Sequence, residues 1–160
     1  MTNKELKLKS VFLRRNLLKY IYKAKAGHTG GSLSCVDTLN VLYNRVLNVD
    51  STNFRNPDRD RYIQSKGHCD KTHRIFTLIG DGELPEGSNW EAFLAAAHYK
   101  LDNLYAILDY NKQQITGNNE DVMNTNSVKE KLESFGWAVK EVDGHNLEEL
   151  EDALNNGPFI

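Results

Sequence analysis

The sequence predicts an α/β fold, a parallel sheet with helices on both faces, and two observations indicate it. From residue 61 onward, short apolar runs that suit buried strands alternate with stretches of helical period. Polar residues directly follow three of these strands, as Gly67-His68, Gly80-Asp81-Gly82 and Asn111. Ligands of such sheets bind beyond the carboxyl ends of the strands, so this edge is the predicted site.

The first 60 residues predict two helices. Apolar side chains recur at steps of three and four from about Lys4 to Lys25, which is typical of one long amphipathic helix. A segment with three glycines in five residues follows, and it should end the helix and let the backbone approach a ligand. A second helix is predicted from about Ser34 to Leu47, and a polar stretch containing Pro57 comes next.

The later elements alternate between strands and helices. Strands are predicted at 61–65, 74–79, 103–109 and 137–142, with the start of another at 159–160. Helices are predicted at about 88–100, 127–136 and 146–157, and a long polar loop at 110–126. Ser88 and Ser127 each stand three residues before a glutamate, which is the spacing of a capping box, and Asn146 should cap the last helix.

Composition restricts the class of protein. With 160 residues, 39% hydrophobic and 26% charged, the chain matches an ordinary globular domain. Two cysteines without C-x-x-C spacing exclude a disulfide scaffold and favour a reducing, cytoplasmic compartment. No apolar run approaches the roughly 18 residues of a membrane span, and the N-terminus lacks the pattern of a signal peptide, so no membrane partner is expected.

Basic residues are concentrated in the first predicted helix. Residues 1–25 contain eight lysines and arginines and a single acid, Glu5. A basic helix can bind nucleic acid. Here the basic residues are spread among apolar ones and no nucleic-acid motif follows, so we interpret them as a solvated helix face and expect no nucleic-acid partner.

Asp81 and Asn111 form the strongest chemical pattern. Gly80-Asp81-Gly82 alone also fits a plain tight turn. Asn111 follows the next strand, and one β-α-β unit separates the two residues, so both can reach the same edge of the sheet. A carboxylate and an amide oxygen suit Mg²⁺, which takes its remaining ligands from water and phosphates. The flanking glycines leave N–H groups open to phosphate, and the pattern indicates a Mg²⁺–diphosphate site.

Longer motifs extend this pattern. The sequence contains GHTGGSLS at 27–34, SKGH at 65–68, GDGELPEGSNWE at 80–91 and VDGH at 142–145. These four segments, in this order, resemble the N-terminal, pyrophosphate-binding domain of transketolase, over nearly the whole chain. The resemblance implies transfer of a two-carbon ketol unit from a ketose phosphate to an aldose phosphate, with thiamine diphosphate and Mg²⁺ as cofactors.

The resemblance also implies roles for individual residues. The implied metal ligands are the side chains of Asp81 and Asn111 and the backbone carbonyl of Gln113. The implied cofactor contacts are His68, Gly80, Gly82 and Asn111, and the implied catalytic residues are His28 and His68. His28 would face the reacting carbon. Glu86 and Glu91 match acidic positions at the subunit interface of the family.

A partner chain is expected on the same basis. The family activates its cofactor with a glutamate from a second, pyrimidine-binding domain, which this sequence does not contain. The chain is similar to the N-terminal polypeptide of transketolases that are divided into two chains. The resemblance therefore implies that the partner is a C-terminal transketolase subunit, in a homodimer or heterotetramer that acts on sugar phosphates.

The sequence departs from the family pattern after His68. Residues 69–73 join two segments that the family separates by several dozen residues, so residues 1–160 are interpreted as a partial domain that lacks a segment between about 70 and 71 and that is also truncated at the C-terminus. Three explanations are open: a disordered segment left out of the numbering, a true deletion, or a natural minimal version with an altered site. The alternative functions are a truncated, non-catalytic remnant and another thiamine diphosphate enzyme, such as deoxyxylulose-phosphate synthase.

Overall fold

A computed structural model describes residues 1–64, 74–114 and 116–156, with the backbone alone at Ile63 and Gln64. The helices are α1 (Asn3–Ala24), α2 (Thr29–Ser34), α3 (Val36–Val41), α4 (Gly87–His98), α5 (Asn119–Val122), α6 (Val128–Ser134) and α7 (Leu147–Asn156). The strands are β1 (Arg61–Gln64), β2 (Ile75–Gly80), β3 (Leu104–Asp109), β4 (Gln113–Gln114) and β5 (Gly117–Asn118). Two compact units contain them: Met1–Leu47 with the described part of Val142–Gly157, and the described part of Asn48–Glu141.

Helix α1 begins at a capping box that the sequence analysis did not identify. The Thr2 hydroxyl accepts a hydrogen bond from the Glu5 N–H at 3.3 Å, and the Glu5 carboxylate accepts one from the Thr2 N–H at 2.7 Å. The helix ends at Lys25, which adopts a left-handed conformation with φ 49°. The long N-terminal helix is thus confirmed, and the reciprocal bonds at Thr2 determine where it starts.

The first unit is helical, and α3 lies in contact with both α1 and α7. Its buried apolar side chains are Leu6, Val36, Val41, Leu42, Val46, Leu147, Leu150 and Leu154. Asn40 is buried among them, and its Nδ2 donates to the Leu6 carbonyl at 2.9 Å and to the Ser10 hydroxyl at 2.8 Å. The N–H groups of the Asn40 amide are therefore satisfied by α1, and its Oδ1 accepts from Asn44 Nδ2 at 3.0 Å, as a buried polar group requires.

The predicted second helix, from about Ser34 to Leu47, is wrong as a single element. Its residues belong to α2, α3 and a π-helical turn, Leu42–Val46, which continues α3 and is closed by a bond from the Leu47 N–H to the Leu42 carbonyl at 2.8 Å. The glycine-rich segment is also partly helical, because Gly30 and Gly31 lie within α2. Apolar spacing does not reveal these divisions, because a break at Cys35 and a single π-helical turn leave the apolar positions at steps of three and four.

The second unit contains the sheet. Strands β1, β2 and β3 are parallel and lie in that order, which confirms the strands expected at these positions within the described residues. The register pairs Ile75 with Leu104 at one end and Gly80 with Asp109 at the other. The last residues of β2 and β3 therefore lie side by side, and the chain leaves both strands at the same edge.

The strand predicted at 137–142 is wrong, because these residues, all of them described, form no strand. The Trp137 side chain is buried beside α4 and α6, and its Nε1 donates to the Phe93 carbonyl at 2.9 Å. Val139 packs against the same cluster. The apolar residues of this segment fill a core between helices. A short apolar run has the same sequence pattern in this role as in a strand, and for this reason the prediction was wrong.

Two further predictions concern helix starts and loops. The Ser127 hydroxyl accepts from the Glu130 N–H at 3.3 Å, so this cap is confirmed. Ser88 instead lies inside α4, and the N-cap residue of that helix, Glu86, makes no side-chain capping bond with the described residues. Asn146 caps α7 by accepting from the N–H groups of the second and third residues of the helix. The expected loop at 110–126 contains β4, β5 and α5.

Some predictions lie outside the described residues. They include Ser65, Gly67-His68, the missing segment after Asp70 and the strand at 159–160. Within the described part of the chain, no helix combines the length and apolar character needed to cross a membrane.

Candidate metal and diphosphate site

Asp81 lies directly beyond the carboxyl end of β2. Its N–H donates to the Asp109 carbonyl at 3.2 Å, so the pairing of β2 with β3 continues to this residue. Its side chain is buried, and the residue is only 2% exposed. The strand end therefore positions a carboxylate at the edge of the sheet where the sequence analysis expects a ligand.

Three hydrogen bonds hold this carboxylate in a closed ring with two other residues. The Lys112 N–H donates to Asp81 Oδ2 at 2.6 Å, and Asn119 Nδ2 donates to the same oxygen at 2.8 Å. The Asn119 N–H donates to the Lys112 carbonyl at 3.1 Å and completes the ring. Lys112 adopts a left-handed φ of 63°, which costs a non-glycine residue about 1 kcal/mol and which these bonds maintain.

The charge of Asp81 has no cationic partner among the residues that the structure describes. No lysine or arginine of the described ranges forms an ion pair with it, and both donors in the ring are neutral groups. A buried carboxylate is costly unless it is paired with a cation or coordinates a metal. The donor set of Asp81 therefore fits a hard cation, and the residues present are compatible with Mg²⁺.

The two other expected metal ligands flank Lys112, whose N–H contacts Asp81. The Asn111 side-chain oxygen accepts from the Gln113 N–H at 2.9 Å, and this oxygen keeps a second lone pair. The Gln113 carbonyl lies 3.8 Å from the position that a Cβ on Gly82 would occupy. The structure thus brings the backbone of this loop together with Asp81 and Gly82, although 31 residues separate Asp81 from Lys112.

The three expected metal ligands are of different chemical types, and only Asp81 has an ionisable side chain. Among the described residues, no group of three or more His, Cys, Asp or Glu side chains could hold a metal ion. The expected set consists of one carboxylate, one amide oxygen and one backbone carbonyl. Such a set suits Mg²⁺, which commonly keeps several waters or phosphate oxygens as its other ligands.

Asn119 is the site residue that sequence reasoning missed. It is 4% exposed, and its Oδ1 is buried without a hydrogen-bond partner among the described residues. An unsatisfied buried acceptor costs about 1–3 kcal/mol, so its presence requires a reason. The only signal in the sequence is the polar character of 110–126, which does not distinguish Asn119 from its neighbours.

Glu86 and Glu91 share no described hydrogen bond or ion pair with Asp81, and His28 belongs to the other compact unit. His28 is exposed at the N-terminus of α2, where its carbonyl accepts from the Ser32 N–H at 3.0 Å. Glu86 is the N-cap residue of α4, and Glu91 lies on the same helix; both are exposed. His68 lies outside the described residues, so the roles of these four residues stay predictions.

Fold and site together define an α/β protein with a buried carboxylate suited to a hard cation at the edge of a parallel sheet. A sequence profile described as "Transketolase, thiamine diphosphate binding domain" matches residues 9–73 and 70–158. The chain belongs to this family, which confirms the resemblance found in the sequence. It is a transketolase N-terminal domain, of a family that binds thiamine diphosphate.

Relatives in two bacteria are named as subunits. One of the apulose-4-phosphate transketolase subunits of Phocaeicola vulgatus is 32% identical over 91% of this chain and 74% of its own length. The 6-deoxy-6-sulfo-D-fructose transketolase subunit SqwG of a Clostridium species is 30% identical over 89% of this chain and 75% of its own length. These relatives are transketolases, and their names indicate that they act together with another chain.

A solved structure supports the fold. A transketolase mutant from Pichia stipitis superposes with a TM-score of 0.82, at 19% identity, over 95% of this chain and 34% of that one. At this identity the likeness concerns the fold alone. It confirms the predicted α/β class.

Proposed function

We propose that this chain is the N-terminal subunit of a split transketolase that transfers a two-carbon ketol unit from a ketose phosphate to an aldose phosphate. The observation that carries the proposal is the buried Asp81 carboxylate at the end of β2, bonded to the backbone between Asn111 and Gln113. This carboxylate lies at the edge of the sheet and has no cationic partner among the described residues. Since the chain belongs to a family that binds thiamine diphosphate, this supports a Mg²⁺–diphosphate site.

Each proposed residue has a distinct task. Asp81, Asn111 and the Gln113 carbonyl would hold Mg²⁺, and Gly80 and Gly82 would present N–H groups to the diphosphate. Thiamine diphosphate supplies a carbon nucleophile and an electron sink when bound. His28 would donate hydrogen bonds to the hydroxyls of the donor sugar, and His68 would contact the diphosphate region. Glu86 and Glu91 would contribute to a subunit interface.

The partner and the substrates are proposed from the relatives. Two relatives are named as one subunit of a transketolase, so a C-terminal subunit with a pyrimidine-binding domain is the proposed partner, in a homodimer or heterotetramer. Their names specify apulose 4-phosphate and 6-deoxy-6-sulfo-D-fructose, so both belong in any substrate panel for this chain. A ketose phosphate donor and an aldose phosphate acceptor remain the proposed substrate class.

A second candidate function, a non-catalytic remnant of the domain, is favoured by the small number of residues between His68 and Arg74. The alignment with the Phocaeicola protein runs over 209 positions, more than the 160 residues of this chain, so part of that relative has no counterpart here. The two ranges matched by the family profile meet at 70–73, where the sequence analysis expects a missing segment. These observations support a partial domain, and they favour a non-catalytic remnant as the alternative to the active subunit.

A cofactor titration tests the two candidates. Thiamine diphosphate is titrated into the full chain with and without MgCl₂, and with and without the candidate C-terminal subunit, by calorimetry. An active subunit should bind the cofactor only when Mg²⁺ is present. Asp81→Ala should weaken the Mg²⁺-dependent binding by at least about 100-fold, because it removes the charged ligand.

Asp121→Ala is the matched control. Asp121 is an exposed carboxylate on α5, so its removal should leave the affinity for the cofactor unchanged. If the unaltered chain binds no thiamine diphosphate under any of these conditions, the active-subunit proposal is wrong and the remnant remains. If Asp81→Ala keeps full affinity, the metal assignment is wrong.

A further inference from the structure

Both hydrogen bonds that the described residues donate to the Asp81 carboxylate reach the same oxygen. Lys112 N–H and Asn119 Nδ2 donate to Oδ2 at 2.6 and 2.8 Å. A carboxylate oxygen has two lone pairs, so two donors fill Oδ2. Within the described part of the chain, no hydrogen bond reaches Oδ1, so Oδ1 is the oxygen of this carboxylate that stays available to a ligand.

We infer that Asn119 is a positioning residue that makes Asp81 a one-oxygen ligand and thereby raises the affinity of the site for Mg²⁺ relative to that for Ca²⁺. The inference rests on the proposed function, because it takes the cation site at Asp81 as given. Mg²⁺ demands a near-ideal octahedron, whereas Ca²⁺ accepts more oxygens and often takes both oxygens of one carboxylate. If two hydrogen bonds occupy Oδ2, only Oδ1 can coordinate the cation. This suits Mg²⁺ and prevents the two-oxygen coordination that Ca²⁺ often uses.

The orientation of the Asn119 amide supports this role. Its Oδ1 is buried without a partner among the described residues, while its Nδ2 faces Asp81. Rotating the amide by half a turn would direct Oδ1 at the carboxylate, and two acceptors would then face each other. The amide thus donates its N–H to Asp81 while its own oxygen stays without a hydrogen-bond partner among the described residues, as expected beside a carboxylate.

The backbone contacts of Asn119 make the side chain separable from the fold. The Asn119 N–H donates to the Lys112 carbonyl at 3.1 Å, and the Met123 N–H donates to the Asn119 carbonyl at 3.1 Å. Neither bond uses the side chain. A substitution at this position therefore retains the backbone bonds that hold the loop beside Asp81.

Cation selectivity tests the inference. The affinities of the full chain for Mg²⁺ alone and Ca²⁺ alone are measured by calorimetry with saturating thiamine diphosphate, with and without the candidate partner subunit. Asn119→Ala should lower the ratio of Mg²⁺ to Ca²⁺ affinity about tenfold, because one lone pair of Oδ2 becomes available to Ca²⁺. The exposed neighbour Asn118 donates to Asp121, so Asn118→Ala should leave the ratio unchanged.

Asn119→Asp is the second variant, since it keeps the shape of the side chain and removes the donor. It should shift the ratio in the same direction, and more strongly, because it adds a carboxylate oxygen near the cation. An unchanged ratio, or an equal loss of both cations in both variants, overturns the inference and leaves the proposed function standing. An unaltered chain that binds neither cation overturns both.

Discussion

At the scale of single residues, Asp37 in the helical unit is a buried carboxylate that bonds an arginine and a histidine from two other segments of that unit. Arg14 donates to both of its oxygens, at 3.0 and 2.7 Å, and His145 Nδ1 lies 2.9 Å from Oδ2. Burial raises the pKa of Asp37, but hydrogen bonds from Arg14, Ser10 and His145 outweigh it and lower the pKa to about 2. Asp37 thus joins α1, α3 and the segment before α7 through its charged form.

This lowered pKa predicts a pH-dependent stability. The carboxyl of the unfolded chain titrates near pH 3.8, so the contribution of Asp37 is fully present above that pH and is lost as the pH falls toward about 2. We expect Asp37→Asn to lower the free energy of unfolding by about 2 kcal/mol at pH 7 and by much less at pH 2. Urea unfolding followed by far-UV circular dichroism measures both values.

Asp102→Asn provides the comparison, since Asp102 is exposed. Its free energy of unfolding should stay within about 0.5 kcal/mol of the unaltered chain at both pH values. An Asp37→Asn chain whose deficit is the same at pH 2 and pH 7 would show that packing, and not the charge, accounts for the loss.

At the scale of secondary-structure elements, two serines with the same sequence spacing have different roles. Ser127 caps α6 with its hydroxyl, whereas Ser88 already lies in the first turn of α4, whose N-cap residue is Glu86. Both positions satisfy the S-x-x-E pattern. The pattern is necessary for a capping box but does not decide where the helical backbone begins, which is one residue before Ser88 in α4.

Alanine substitutions distinguish the two serines. Ser127→Ala should lower the free energy of unfolding by about 1 kcal/mol, because the Glu130 N–H loses its acceptor. Ser88→Ala should change it by less than about 0.5 kcal/mol, since alanine is favourable inside a helix. Urea unfolding followed by tryptophan fluorescence reports on both, because Trp90 and Trp137 belong to the same core. Equal losses from both substitutions would contradict the assigned caps.

At the scale of the whole molecule, the proposed function assigns the diphosphate half of a site to this chain and the pyrimidine half to a second subunit. We predict that mixing it with the candidate C-terminal subunit produces ketol transfer from a ketose phosphate, and that neither chain alone does so. Formation of the aldose product, measured for each chain and for the mixture, tests this. Turnover by the present chain alone would contradict the need for a partner.

The sequence was informative where structure depends on near neighbours. The periodicity of α1, the apolar runs of β2 and β3 and the place of Asp81 after β2 were all predicted, because each depends on residues a few positions apart. The segment from Trp137 and the division of the predicted second helix were not predicted. Apolar spacing is the same whether Trp137 joins a strand or fills a core against α4.

The sequence by itself determined the family, the α/β class and the position of the candidate metal ligand Asp81 at a strand end. Only the tertiary structure showed that Asn119, 38 residues further along the chain, donates to that carboxylate and fills one of its oxygens. The physical reason is the range of the interaction. Motifs and periodicity depend on residues that are close together in the sequence. The hydrogen-bond partners of a buried carboxylate depend instead on how distant segments of the chain pack.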